Sequence, residues 1–112
     1  MKTIPFSTLA EFKRKATKGS FLKTTHYSHP KAFKGRDEAG RCLYDPYDMG
    51  AREISIQQTN SIAIKTEKTD GTIVDSWFWF PPAKECTVID NALHVYSDSK
   101  KDNLIMVYTI VG

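Results

Sequence analysis

The spacing of apolar residues changes once along the chain, close to Gly19. Before this residue, the apolar positions recur at helical spacing: Leu9, Phe12 and Ala16. Thr8 with Glu11 three residues later forms a capping box, and Gly19 supplies a left-handed end. The pattern predicts a helix over about residues 7–18. Because so short a helix is marginal in water, we expect its apolar stripe to pack on the rest of the protein.

Beyond Gly19 apolar and polar residues alternate, which is the period of β-strands. The segment SFLKTTHYS predicts a first strand, and REISIQQ with IAIKTE predicts a hairpin around TNS. In that hairpin, alternation puts Ile54 and Ile56 on one face of the first arm. In the same way it puts Ile62 and Ile64 on one face of the second arm.

The C-terminal half predicts further strands. TIVDSWFWF follows an Asp-Gly turn and ends at Pro81 and Pro82, which have no N–H for a strand ladder. CTVI and ALHVY pair across a tight turn, and LIMVYTIV forms the last strand. The order of elements predicts an α+β fold: a short N-terminal helix and a twisted antiparallel sheet of about six or seven strands, which can curl toward a barrel.

Length and composition favour one domain. The chain has 112 residues, of which 40% are hydrophobic and 26% charged, so we expect a single domain over residues 1–112 with one hydrophobic core. Its parts are the helix, a long loop over about residues 29–50, and the hairpin and strands over about residues 51–112. No apolar run approaches the roughly 20 residues of a membrane span, and the N-terminus has no signal core, so we expect a cytoplasmic protein with no membrane partner. Cys42 and Cys86 are then expected to be free buried thiols, with a disulfide between them as the alternative.

The charge is distributed unevenly along the chain. Residues 1–41 carry ten Lys or Arg and three acids, a net charge of +7, whereas residues 42–112 carry six and ten, a net charge of −4. The basic residues of the predicted helix are Lys13, Arg14, Lys15 and Lys18. Such a basic pole can attract a nucleic acid, a nucleotide or an acidic partner. The alternative is that these charges only keep the helix and loop hydrated.

The predicted loop over residues 29–50 is unusually long for a segment without regular structure, and such loops often carry function. It interleaves aromatic and basic residues: Phe33, Lys34, Arg36, Arg41, Tyr44 and Tyr47. This mixture suits phosphate neutralisation combined with base stacking. The alternative is a compact loop whose aromatic rings pack back onto the sheet.

Catalytic and metal-binding motifs are weak. His26, His29 and His94 are not accompanied by a Cys-x-x-Cys or His-Glu-x-x-His pattern, and neither cysteine has a local nucleophile signature. The Gly-rich phosphate loops of nucleotide-binding enzymes are also missing from the sequence. We therefore predict a non-catalytic protein without a metal or a cofactor.

The segment SWFWFPP concentrates four aromatic rings on one strand. Alternation puts Phe78 and Phe80 on one face, where they are expected to join the core, and Trp77 and Trp79 on the other. The two tryptophans are either covered by the helix or exposed as a surface that binds a protein or stacks on bases.

Residues 51–112 also carry a resemblance. AREISIQQTN, SWFWFP and the closing YTI resemble an R-E-x-x-x-x-Q-[ST]-N strand pair, an S-W-x-x-[FW]-P strand and a Y-x-[IV] terminus. These features are found in small uncharacterised accessory proteins of phages, prophages and other mobile elements. The resemblance implies a phage or mobile-element protein that binds a host protein, and inhibits a host component such as a defence-system protein. Nucleic-acid or nucleotide binding through the basic helix and loop is the alternative.

Overall fold

The helix is shorter in the structure than the range of about residues 7–18 predicted from the sequence. In the computed structural model, which describes residues 2–112, helix α1 spans Leu9–Lys15. The Thr8 side chain caps it, as predicted, by accepting a hydrogen bond from the backbone N–H of Glu11 at 3.1 Å, whereas the Glu11 carboxylate accepts from the backbone N–H of Ser7 instead of that of Thr8. Lys18 lies in the turn beyond the helix rather than on it. Gly19, with a φ of +94°, then turns the chain into the sheet.

Within the described residues the chain forms ten strands. They are β1 Thr3–Ile4, β2 Phe21–His26, β3 Phe33–Arg36, β4 Cys42–Tyr44, β5 Tyr47–Gln57, β6 Ser61–Glu67, β7 Ile73–Trp79, β8 Cys86–Ile89, β9 Ala92–Tyr96 and β10 Leu104–Val111. Eight of them build one antiparallel sheet in the order β7-β6-β5-β2-β10-β9-β8, with β1 paired to the end of β10. Between residues 2 and 112, β7 and β8 each pair on one side only, so the sheet is open and does not close into a barrel. The protein is thus mostly antiparallel sheet with one short helix, a composition compatible with the α+β class.

The segment over residues 29–50 is not the structureless loop that its length suggested. It contains a single 3₁₀ turn at Pro30–Ala32, followed by β3 and β4, which form a separate two-stranded sheet. Strand β5 then begins at Tyr47, inside the predicted loop. The turn chemistry of this segment therefore supports a small hairpin beside the main sheet.

The core lies between α1 and one face of the sheet, here called the inner face. It contains fully buried side chains from five strands: Leu22, Ile54, Ile62, Leu93 and Ile110. Phe12 of α1 is fully buried above them and meets the rings of Phe6 and Phe80 edge to face, at centroid distances of 5.1 and 5.8 Å. The predicted packing of the apolar helix stripe on the sheet is confirmed.

A β-bulge corrects one expectation about the hairpin. Ile54 pairs with Ile64, but the next pairing joins Ile56 to Ala63, so β5 has one extra residue at Ser55. The extra residue reverses the phase of the strand. Ile54 is fully buried on the inner face, while Ile56 lies on the opposite, outer face. The prediction that both isoleucines share a face is wrong.

Both cysteines are free, but only one is buried. Cys86 lies in the core at the start of β8, where burial raises the pKa of its thiol. Cys42 lies on β4 and is exposed, which corrects the expectation of two buried thiols.

Candidate functional site

The two tryptophans lie on the outer face of the sheet, away from the helix. Strand alternation turns Trp77 and Trp79 away from Phe78 and Phe80, and α1 packs on the Phe80 side. Trp77 remains 47% exposed and Trp79 69% exposed. Of the two sequence-based alternatives for these rings, cover by the helix is wrong, and both indoles face solvent.

The neighbours of the tryptophans extend this surface. The strand register places Trp77 opposite Ala63 and Trp79 opposite Ser61, and both opposing side chains are small. Because Ile56 pairs with Ala63 from the other side, it lies on the same face and is 36% exposed. We call Ile56, Trp77 and Trp79 the aromatic face.

A polar cluster borders the aromatic face along the same strands. Ser55 Oγ donates a hydrogen bond to Asp75 at 2.7 Å, and Lys65 forms an ion pair with Glu53 at 2.8 Å. The hydrogen bond to Glu53 is the main cause that raises the pKa of Lys65, and the charges of Glu53 and Asp75 add to it. An apolar centre with a polar margin is the usual composition of a protein-binding surface.

The aromatic face also lies at an edge of the sheet. Among residues 2–112, β7 has β6 as its one strand neighbour, so its other side presents unpaired backbone N–H and C=O groups. Asp75 lies in the middle of this strand, and Pro81 and Pro82 follow its end. A charge and a nearby proline are common protections of an exposed strand edge against unspecific pairing.

Phe78 and Phe80 contribute to the core as predicted. Both pack against the buried cluster, and their rings meet edge to face at 5.7 Å. Phe78 also contacts the ring of Tyr108 at a centroid distance of 4.6 Å. The alternation along β7 therefore separates a structural pair of aromatics from an exposed pair.

The basic residues of the helix are partly engaged within the protein. Lys15 donates to the Pro5 carbonyl and lies 3.7 Å from the carboxylate of Glu11, which also lies 3.8 Å from Arg14. Lys13 lies over the ring of Phe80, with Nζ 5.7 Å from the centroid. Hydrogen bonds from Ser7 are the main cause that lowers the pKa of Glu11, and the positive charges of Lys15 and Arg14 add to it. The Glu11 carboxylate therefore partly neutralises the basic residues of the helix.

The basic and aromatic residues of the 29–50 segment lie elsewhere. The β3–β4 hairpin region carries five of them: Phe33, Lys34, Arg36, Arg41 and Tyr44. Arg41 pairs with Asp37 at 2.9 Å, and Lys34 with Asp45 at 3.4 Å. The helix precedes β2 and the hairpin follows it, so the six residues of β2, roughly 17 Å of strand, separate the two basic groups along the chain. Tyr47 lies apart from both, stacked on His29 at 4.2 Å.

Two features escaped the sequence analysis. Ile56 was expected on the same face as Ile54, because a bulge leaves no mark in a period-two pattern. Arg52 is the second: it lies in phase with Ile54 on the inner face, half-buried in a cavity bounded by His29 and Tyr47. In the sequence, the sign of this cavity was that the charged Arg52 lies in phase with Ile54, a residue expected to face the core.

No membrane span, metal cluster or known relative indicates a function for the part of the chain that the structure describes. Within residues 2–112, no helix is long and apolar enough to cross a membrane, and no group of three or more His, Cys, Asp or Glu side chains is arranged to hold a metal ion. Comparison of the chain with protein-family models, with curated proteins and with solved structures finds no match.

Proposed function

We propose that the protein is a non-catalytic binding protein that uses the aromatic face to bind a partner protein. The observation that carries the proposal is the exposure of Trp77 and Trp79 side by side on an edge strand. An exposed pair of indoles is unfavourable for a protein that remains alone, because each ring can bury on the order of 150 to 250 Å². Tryptophan is also among the residues that most often dominate binding energy at protein interfaces.

The edge of β7 adds a second means of recognition. A partner strand that pairs with the free side of β7 satisfies its backbone groups, while side chains beside that strand contact the indoles. The polar cluster of Ser55, Lys65 and Asp75 supplies hydrogen-bonding groups at the margin. Such an interface depends mainly on apolar burial and backbone pairing, so its affinity changes little with salt.

The biological setting of the proposal comes from the resemblance to accessory proteins of phages and other mobile elements. In that setting the partner is a protein of the host cell, such as a component of a defence system, and binding blocks its action. The protein then acts in the cytoplasm of the host. Nucleic-acid or nucleotide binding through the basic helix and hairpin is the competing hypothesis, and it predicts a steep loss of affinity with salt.

Affinity capture with matched variants tests the proposal. The bait is the protein itself, immobilised and exposed to host lysate at low and at high salt. We expect wild type to enrich a defined protein at both salt concentrations, and Trp77→Ala with Trp79→Ala to lose it. Leu43→Ala with Ile89→Ala is the control, because both are exposed apolar residues on strands β4 and β8, away from β7 and the aromatic face. Equal enrichment by the tryptophan variant would reject the proposal.

Charge reversal separates the competing hypothesis. Arg14→Glu with Lys18→Glu changes the helix end, and Lys34→Glu with Arg36→Glu changes the hairpin. If the protein binds nucleic acid, either pair of changes lowers DNA or RNA retention and reduces its dependence on salt. If the aromatic face carries the function, both variants capture the same protein as wild type.

A further inference from the structure

A cavity opens on the inner face of the sheet beyond the end of the core. Its volume is about 410 Å³, within the range typical of small-molecule sites. The wall comes from the 29–50 segment through His29, Lys31 and Tyr47, and the floor from Arg52 and Thr66 on β5 and β6. The cavity therefore lies on the opposite side of the sheet from the aromatic face.

The guanidinium of Arg52 is the unusual group of this cavity. Its two terminal nitrogens reach the hydroxyl oxygens of Thr24 and Thr66, each at 3.5 Å, which is a long hydrogen bond. Its Nε–H is buried and has no acceptor among the described residues. None of the carboxylates of residues 2–112 lies within ion-pair distance of the guanidinium. Burial lowers the pKa of Arg52.

An unpaired guanidinium in a half-buried position costs folding free energy. Arginine presents five N–H donors in a planar fork that matches a carboxylate or a phosphate. The terminal nitrogens of Arg52 have only the two long contacts to threonine hydroxyls among the described residues, so the donor groups remain largely unused. The arrangement is that of an anion receptor rather than of an internal ion pair.

The wall of the cavity adds donors of the same kind. His29 Nδ1 accepts a hydrogen bond from the backbone N–H of Lys31 at 3.1 Å, which assigns the ring hydrogen to Nε2 as a donor. The His29 ring stacks on Tyr47 with an interplanar angle of 17°, so its orientation is fixed. Lys31 forms no ion pair within residues 2–112.

Two acids also line the cavity and restrict what it can hold. Asp48 accepts a hydrogen bond from the backbone N–H of Gly50 at 2.8 Å and is part of its own turn. Glu67 lies at the end of β6. A ligand that is negative over its whole surface would meet these acids, whereas a ligand with one anionic group and hydroxyl or amino groups elsewhere would not.

We propose that this cavity binds a small molecule through one oxyanion group, a carboxylate or a phosphate, which pairs with the Arg52 guanidinium. His29 and Lys31 supply further donors to the oxyanion, and the acids accept from hydroxyl or amino groups of the same ligand. Tyr47, which was expected to act as a surface aromatic of the loop, is instead a wall residue of the cavity.

Titration of the isotope-labelled protein with sodium phosphate and with sodium acetate tests the proposal. The readout is the Nε–H resonance of Arg52 in nitrogen-15 NMR spectra, compared with sodium chloride at the same ionic strength. We expect a saturable shift of this resonance and of the amides of residues 47–52 with at least one of the two oxyanions. Tighter binding of phosphate would indicate a phosphate ligand, and tighter binding of acetate would indicate a carboxylate ligand.

Two variants of Arg52 and one control complete the experiment. Arg52→Met removes the donors and keeps the length of the side chain, and we expect affinity to fall by about tenfold or more, as for loss of hydrogen bonds to a charged group. Arg52→Lys keeps the charge without the planar fork and should bind more weakly than wild type. Arg36→Met, on the exposed β3 strand, should bind as wild type does. The proposal is overturned if chloride produces the same shifts, or if either Arg52 variant binds as well as wild type.

Discussion

Ile54 and Ile56 lie two residues apart on one strand and yet face opposite sides of the sheet. The bulge at Ser55 separates them: Ile54 is fully buried against Ile64, whereas Ile56 is 36% exposed beside Ala63. Because of this one extra residue, β5 contributes Ile54 to the core and Ile56 to the aromatic face. If β5 paired regularly with the same sequence, Ile56 would lie opposite Ile62 on the inner face, and the tryptophans would have no apolar neighbour on β5.

The first prediction follows from this arrangement. Ile54→Ala removes fully buried methyl groups and should lower the free energy of unfolding by about 2 to 5 kcal/mol. Ile56→Ala removes half-exposed groups and should cost less than about 1 kcal/mol. Urea denaturation followed by circular dichroism measures both values. Equal costs for the two variants would contradict the bulge.

The second prediction concerns the alternating aromatics of β7. Phe78→Ala should destabilise the protein by about 2 kcal/mol or more, because Phe78 packs on the core and on Tyr108. Trp77→Ala and Trp79→Ala should each cost clearly less, since both rings face solvent. Denaturation midpoints of the three variants rank these costs. If a tryptophan variant were destabilised as much as Phe78→Ala, the result would indicate that this tryptophan ring is buried in the core, contrary to the prediction.

The third prediction concerns acid. Burial is the main cause that lowers the pKa of His26, and His29 adds to it. Because the unfolded chain then binds the proton more readily than the folded protein, stability should fall as the pH drops below 6.5, the ordinary histidine value. Denaturation midpoints between neutral and mildly acidic pH measure this slope. His26→Gln should reduce the slope, and an unchanged slope in this variant would contradict the role of His26.

The fourth prediction concerns alkali. Burial raises the pKa of Tyr108 to about 12, well above the ordinary value of 10.0. The folded protein therefore keeps a proton that the unfolded chain loses, and stability should decrease between pH 10.0 and about 12, by up to about 3 kcal/mol in total. Ultraviolet titration of the folded protein should show a late step from Tyr108. The late step should disappear in Tyr108→Phe and persist in Tyr96→Phe.

Local signals in the sequence predicted the elements of the fold well. The capping box at Thr8, the alternation along β2 and the separation of Phe78 from Trp77 all correspond to the structure, because each depends on neighbouring residues. The sheet has one strand more than the six or seven predicted, because the two residues of β1 are too few to form a recognisable pattern. The open ends of the sheet depend on pairing between distant strands, which no local signal reports.

The candidate site was predicted in part, for similar reasons. The tryptophans were identified from composition and alternation, but their exposure depends on where α1 packs. Arg52 and His29 are 23 positions apart in the chain and meet only through the fold. The basic residues of the helix and of the hairpin were grouped by their nearness in sequence, whereas β2 separates them in the structure.

Fluorine NMR on the protein labelled with 5-fluorotryptophan tests the central claim most directly. The chain has two tryptophans, so the label reports on Trp77 and Trp79 alone, and an unlabelled partner contributes no signal. Trp77→Phe and Trp79→Phe assign the two resonances. In the free protein both should show the solvent isotope shift of an exposed indole, and on addition of the captured partner both should move and lose that shift. Two resonances that stay unchanged and solvent-exposed in the complex would contradict binding through the aromatic face.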